Sequence, residues 1–482
     1  MKYVFFVSVL LSIHFSFAQQ NVGIGTNTPT EKLHVSGNVK ADTIKPTAIQ
    51  LTPNAGAGKV LTSDATGNAS WAQGNTATAN IGYGTWGDCG TNAIISEYQP
   101  AGDSTGISGS FGDAVAVSGN WAIIGARNND NGANTDQGLA TIFKFDGTKW
   151  VHFARLFDSP GFSNDYFGAS VSISGNYAMV GVPGDDANKG SARIYFYNGS
   201  NWVLSGTITD PSGAAGDQFG YSVSIYDNYA IAGAVTDDVG INNSQGSACV
   251  FRYNGTGWVF QQKLTDPIGA TSDEFGYSVS IDRGRAVIGA ASDDVGANAD
   301  AGSVSIFQFN GTNWLLEEKI NGISSQSHFG KSVSVSGNYL AVGVPDDDVT
   351  YNAVTDNDEG AAYVYRRDDA GSWNNAQRVR LFRPGGGAYE YFGNCVSISG
   401  DYLLIGIYQD AVGTSLGEGS STLYININAN NWQRLLFITD PAGESGQALG
   451  SAVSIDGYNK RFVIGAQGGF AGRGKAIFGK VN

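Results

Sequence analysis

The sequence predicts an all-β protein: a seven-bladed β-propeller with four-stranded antiparallel blades, preceded by an extended, β-poor arm. Three observations predict it. A Phe-Gly pair followed by apolar–polar alternation recurs at Phe111, Phe167, Phe219, Phe275, Phe329 and Phe392, and Leu449-Gly450 opens a seventh copy. Each complete copy holds four strand-like runs, and a period of that size repeated around a ring is the arithmetic of a propeller. Glycine supplies 68 of 482 residues while aromatic residues make up 12%, a composition of short strands and tight turns around a packed core.

The fourth copy shows the elements in order. Phe275 to Ile281 alternates with period two, as a half-buried strand does. Asp282-Arg283-Gly284 turns the chain, and Ala286 to Ala290 is nearly all apolar, which suits a strand covered on both faces. A polar loop from Ser292 to Ala301 leads to a third strand, Ser303 to Phe309. Asn310-Gly311 then makes a tight hairpin, and Trp314-Leu315-Leu316 opens the fourth strand. Asn-Gly hairpins require antiparallel pairing, which disfavours a linear β-solenoid.

The seventh copy offers three strands, Ser451–Ile455, Arg461–Ile464 and Gly474–Phe478, without a Trp-led fourth. Ala93–Pro100 stands before the first Phe-Gly where a fourth strand stands in other copies. That segment is expected to join the three C-terminal strands and close the ring, which would cover the exposed sheet edges.

The chain begins with one basic residue, an apolar run and the ending Ser16-Phe17-Ala18, which read as a secretory signal peptide over residues 1–18. The run is short for a membrane-spanning helix of about 20 residues. The expected location is therefore outside the cell or on its outer surface, with no integral membrane segment after cleavage. Residues 19–78 form a stalk-like or oligomerising arm, 79–92 a linker, and 93–482 the propeller. The formal net charge of −15 argues against nucleic-acid partners. Three cysteines, Cys89, Cys249 and Cys395, do not make a disulfide scaffold.

The stretches 167–182, 219–234, 275–290 and 329–344 carry a Phe-Gly-x-Ser-Val-x-Ile-type strand and then a second strand with Val-Gly, Ala-Gly or Ile-Gly near its end, and they resemble the FG-GAP repeat family of exported bacterial proteins. The resemblance implies a seven-bladed propeller related to the ligand-binding head of integrin α subunits, and hence recognition or adhesion. Integrin-type repeats hold calcium in an Asp-x-Asp-x-Asp-Gly loop, and no loop here has that pattern. Asn21–Gly37 and Gly56–Asp64 resemble modules of exported, tail-fibre-like proteins.

No catalytic constellation emerges. Gly56-Ala57-Gly58-Lys59 lacks phosphate-loop spacing, and His34, His152 and His328 are isolated. Carboxylates do recur. Between second and third strands lie the pairs Asp185-Asp186, Asp237-Asp238, Asp293-Asp294 and Asp346-Asp347, the candidate metal ligands, with calcium as the candidate ion. A second set between blades includes Asp165, Asp210, Asp217, Asp266, Asp273 and Asp440. Antiparallel order puts both sets on one face of the ring. The alternative role for these residues is to cap loop backbone without an ion. The row of Trp150, Trp202, Trp258, Trp314, Trp373 and Trp432 reads as packing between blades, not as a sugar-stacking series.

The expected function is recognition or adhesion, binding an extracellular protein or glycan through this acidic, loop-rich face. The alternatives are a secreted glycan-active lyase or hydrolase and a non-binding structural spacer. No catalytic or cofactor-binding residue is assigned.

Overall fold

A computed structural model of the chain describes residues 109–481, with short breaks at 352–353, 374–377, 385, 413–414, 429, 441–442 and 469–473, and four short strands nearer the N-terminus. Two compact units divide the chain, Met1–Asn80 and Ile81–Asn482. In the first, Val22–Ile24 pairs in parallel with Leu33–Val35, and Lys59–Ser63 forms a hairpin with Ala69–Gln73. The signal peptide, the remainder of the arm, the 79–92 linker and Ala93–Pro100 lie outside the described residues.

Besides a small hairpin of Val349–Tyr351 with Val354–Asp356, the described residues of the second unit form seven successive antiparallel blades, spanning residues 115–156, 171–208, 219–264, 275–321, 332–381, 392–438 and 449–480. Six have four strands in sequence order, and the seventh has three. In blade 4 the strands are Phe275–Asp282, Arg285–Ala290, Ser303–Phe309 and Trp314–Asn321. Val279 and Ile281 are buried on alternate positions, and every residue from Ala286 to Ala290 is buried.

The expected strand closure is not what joins the ends. The last sheet consists of Leu449–Asp456, Arg461–Ala466 and Lys475–Lys480 alone, and no sheet is closed by a hydrogen-bonded ladder from the N-terminal side among the described residues. Blade 7 instead packs face to face on blade 1. Val115, Val117, Ile124, Phe143 and Trp150 share one buried cluster with Val463, Ala476 and Phe478. Phe143 and Trp150 lie 5.3 Å and 5.1 Å from the Phe478 ring. A propeller needs apolar faces hidden against neighbours, and that packing meets the need without a shared strand.

The Phe-Gly repeat is explained at the same joints. Each repeat aromatic or leucine bridges the glycine that opens the third strand of the preceding blade: Phe167 with Gly138, Phe275 with Gly246, Leu449 with Gly419, and Phe111 with Gly474 at the closure. The following glycine sits at φ +94° in Gly276, and a Cβ there would lie 2.3 Å from the Ser247 carbonyl oxygen. Inner-strand serines add a second tie. Ser224, Ser280, Ser334 and Ser454 accept the amide hydrogens of Ile281, Val335, Ile398 and Val117 in the next blade, at 3.0–3.1 Å.

An Asn-Gly hairpin can place both central residues at positive φ, and here it does not. Asn310 does not take a left-handed conformation; only Gly311 does, at φ +101°. The Asn310 carboxamide oxygen accepts the amides of Thr312 and Asn313, each at 2.9 Å, and Asn198 and Asn254 do the same in their turns. Asparagine is there as a side-chain cap. The tryptophans pack on the preceding blade: Trp202 on Trp121, Trp258 on Tyr177, Trp314 on Tyr229 and Trp432 on Tyr339.

Candidate functional site

Loops joining second to third strands and loops joining successive blades meet on one face. They are hydrogen-bonded to each other, for example Ser272 N–H to the Asn243 carbonyl at 2.9 Å and Asn164 N–H to Thr135 at 2.9 Å. Their carboxylates divide into two kinds. Asp237 and Asp293 point inward and are buried, while Asp238 and Asp294 are exposed. The outward members cap their own loops, Asp238 accepting the Ser244 amide at 2.8 Å and Asp294 the Asp300 amide at 2.9 Å.

In blade 3 the inward carboxylate meets two from the blade connection. Asp210, Asp217 and Asp237 are 1%, 5% and 4% exposed, and an oxygen from each lies within 4.8 Å of the others. Three carboxylates are a donor set that a hard cation accepts. A cation from the chain itself already stands among them: the Lys263 ammonium is 2.8 Å from Asp210 and 2.5 Å from Asp237. Calcium would have to displace it. Burial opposes the charge on Asp210, yet the Lys263 and Ser212 hydrogen bonds hold its pKa below the ordinary value. Asp217 accepts the Ala214 amide hydrogen at 2.5 Å, but burial and the Asp237 charge outweigh that bond and push its pKa up.

The same arrangement recurs with other bases. Lys319 joins Asp266 and Asp293 at 2.5 and 2.6 Å in blade 4, where burial pushes Asp273 up to about 6. Arg193 joins Asp158 and Asp185 at 2.8 and 3.1 Å. Arg380 holds Asp347 at 2.8 Å, Arg383 holds Glu390 and Asp410, and Lys475 holds Asp440. Asp186 is exposed beside Asp185, at φ 51°. The last pair is out of step with the others: Asp347 takes the inward place, and Asp346 faces His328 at 2.8 Å. Acid counting alone did not locate these basic partners. A signal was available in the shared position of Lys263 and Lys319, each five residues after a repeat tryptophan.

Two further features mark this face. Large apolar side chains stand out from its loops: Ile241 is 96% exposed, Ile268 77%, Leu416 74%, Phe162 64% and Ile323 61%. Nearer the inner strands of blades 1 to 3, a cavity of about 440 Å³ is lined by Asp113, Arg127, Asn128, Tyr166, Gln218 and Tyr221, with Ala169 and Pro183. Asp113 pairs with Arg127 at 2.8 Å. Burial raises the pKa of Asp113, and the Arg127 charge opposes that rise.

The model of the FG-GAP repeat family matches the chain at residues 105–143, 150–195, 202–251, 258–307, 321–365 and 376–424, more than half its length. No curated protein matches it.

Proposed function

Because the chain belongs to the FG-GAP repeat family, we propose that it is an exported recognition module that binds a protein or glycan through the loop face of its propeller. Residues 1–18 serve as the export signal and residues 19–78 as a stalk that positions or oligomerises the ring. The observation that carries this reading is the set of exposed apolar side chains on one face, Ile241, Ile268, Leu416, Phe162 and Ile323. Apolar groups held out in water on loops fixed by a rigid ring are what a binding surface requires.

Calcium enters this reading only at Asp210, Asp217 and Asp237, where Lys263 already pairs with two of the three carboxylates. Hydrolytic or lyase chemistry has less support. The cavity lining contains a single carboxylate, Asp113, whereas glycoside hydrolysis ordinarily uses two.

The test is binding of the full chain to a panel of immobilised cell-surface proteins and glycans. Ile241→Asp combined with Ile268→Asp should lower binding at least tenfold. Tyr458→Asp, on the turn between the first two strands of blade 7, should leave it unchanged. Binding that ignores the loop-tip substitutions would overturn the proposal.

A further inference from the structure

We infer that the cavity at the inner end of blades 1 to 3 is a saccharide pocket that receives one neutral sugar unit of a glycan. This rests on the loop-face reading above and deepens it by naming the ligand class.

Each blade needs its Phe-Gly or Leu-Gly step for the joint with its neighbour, but the residues on either side vary. Those following the glycine are Asp113, Ala169, Tyr221, Tyr277, Lys331, Asn394 and Ser451. Those preceding the pair are Ser110, Tyr166, Gln218, Glu274, His328, Tyr391 and Ala448, all at left-handed φ between 50° and 60°. A shared, strained backbone therefore presents a different pair of side chains in every blade. Positive φ in a tyrosine, a histidine or a glutamine costs energy in each case, so the backbone is dictated by the joint and the side chain is not.

The cavity occurs where one of these positions is small. Ala169 stands where blades 3 and 4 carry Tyr221 and Tyr277, and it lines the cavity together with Asp113 of blade 1 and Tyr221 of blade 3. The volume, about 440 Å³, lies within the range of roughly 300–1,000 Å³ common for small-ligand sites. Tyr221 is held by the Tyr277 ring, 5.3 Å away, so one wall is set before any ligand arrives.

The lining selects the chemistry. Tyr166 and Tyr221 are among the lining residues, and a tyrosine can take the C–H side of a pyranose on its ring while its hydroxyl hydrogen-bonds. Asn128 and Gln218 each supply a donor and an acceptor, as a sugar hydroxyl does. Asp113 is an acceptor whose side chain is only 9% exposed. Its charge is matched by Arg127, so the pocket favours neither an anion nor a cation. A neutral, polyhydroxylated ligand satisfies all of these groups together; an apolar one would strand them.

The experiment is an array of immobilised neutral, sialylated and sulfated oligosaccharides probed with the full chain, followed by titration of the bound glycans. The key variant is Ala169→Tyr, which fills the pocket with the residue two other blades already carry. The pocket account expects retention of neutral glycans, at least tenfold weaker binding by Ala169→Tyr with unchanged melting, and a similar loss in Tyr221→Ala. If only proteins or only anionic glycans are held, or if Ala169→Tyr binds normally, the pocket assignment is overturned. Glycan binding that is lost in the Ile241→Asp, Ile268→Asp variant but kept in Ala169→Tyr leaves the loop-face reading standing and removes the pocket alone.

Discussion

At the scale of single residues, the buried carboxylates are managed by amines and guanidinium groups from the chain. Lys263 replaces what an ion would do for Asp210 and Asp237. Lys263→Met keeps the stem and removes the charge, leaving three carboxylates together. It should lower stability by about 2–3 kcal/mol, since an orphaned buried charge costs more than the pair contributes. Added calcium should restore part of that loss in the variant, while chelator leaves wild-type melting unchanged. A wild-type melting temperature that falls with chelator would contradict this. Asp273 gives a pH signature. Its pKa is pushed to about 6 by burial, so the stability tied to its protonated form is complete below about pH 4 and is lost as pH rises through 6. Ser327 and Gln447 hold the equivalent place in blades 5 and 7 without charge. Asp273→Asn should therefore gain on wild type between pH 4 and 7, by about 1 kcal/mol after allowance for screening, measured by denaturant titration at both pH values. The doublets of aspartate were legible in the sequence. Which member turns inward was not, because that depends on a base from a strand some 25 residues away.

At the scale of the strand, two repeated glycines set how closely blades approach. Gly233, in the second strand of blade 3, lies so near blade 4 that a Cβ would stand 2.1 Å from the Gly276 carbonyl oxygen. Gly199, in a hairpin at φ +96°, has nothing within 4 Å of such a Cβ. Gly199→Ala should cost about 1 kcal/mol, the backbone penalty alone. Gly233→Ala should cost at least 3 kcal/mol, because main chain must move. Thermal melts of the two variants check the order, and equal effects would count against close blade contact. Strand order and hairpin positions were readable from alternation and from Asn-Gly. The role of the inner-strand serines was not. On a period-two reading they mark a wet face, yet Ser280 faces the next blade and accepts the Val335 amide at 3.0 Å.

At the scale of the whole propeller, the repeat count and the four-strand period were legible in the sequence, because each copy carries its own Phe-Gly or Leu-Gly joint. The closure was misread. A missing seventh Trp-led strand suggested a loan from the N-terminal side, whereas the first and last blades meet through Phe478, Phe143 and Trp150. Side-chain packing between distant segments leaves no local pattern to read. The candidate site was legible only as a face rich in acid; its apolar loop tips and the cavity beside Ala169 arise where repeats differ.

Blade 7 supports its neighbour blade 1 through the Phe478 ring, and hydrogen exchange in Phe478→Ala reads that support out. Removing this ring costs about 3–5 kcal/mol. A closed ring predicts faster exchange at the amides of Ile123 and Ile142 in blade 1, more than 300 residues away in sequence, as well as in blade 7. Exchange that quickens in blades 6 and 7 while blade 1 keeps its wild-type protection would contradict the closure.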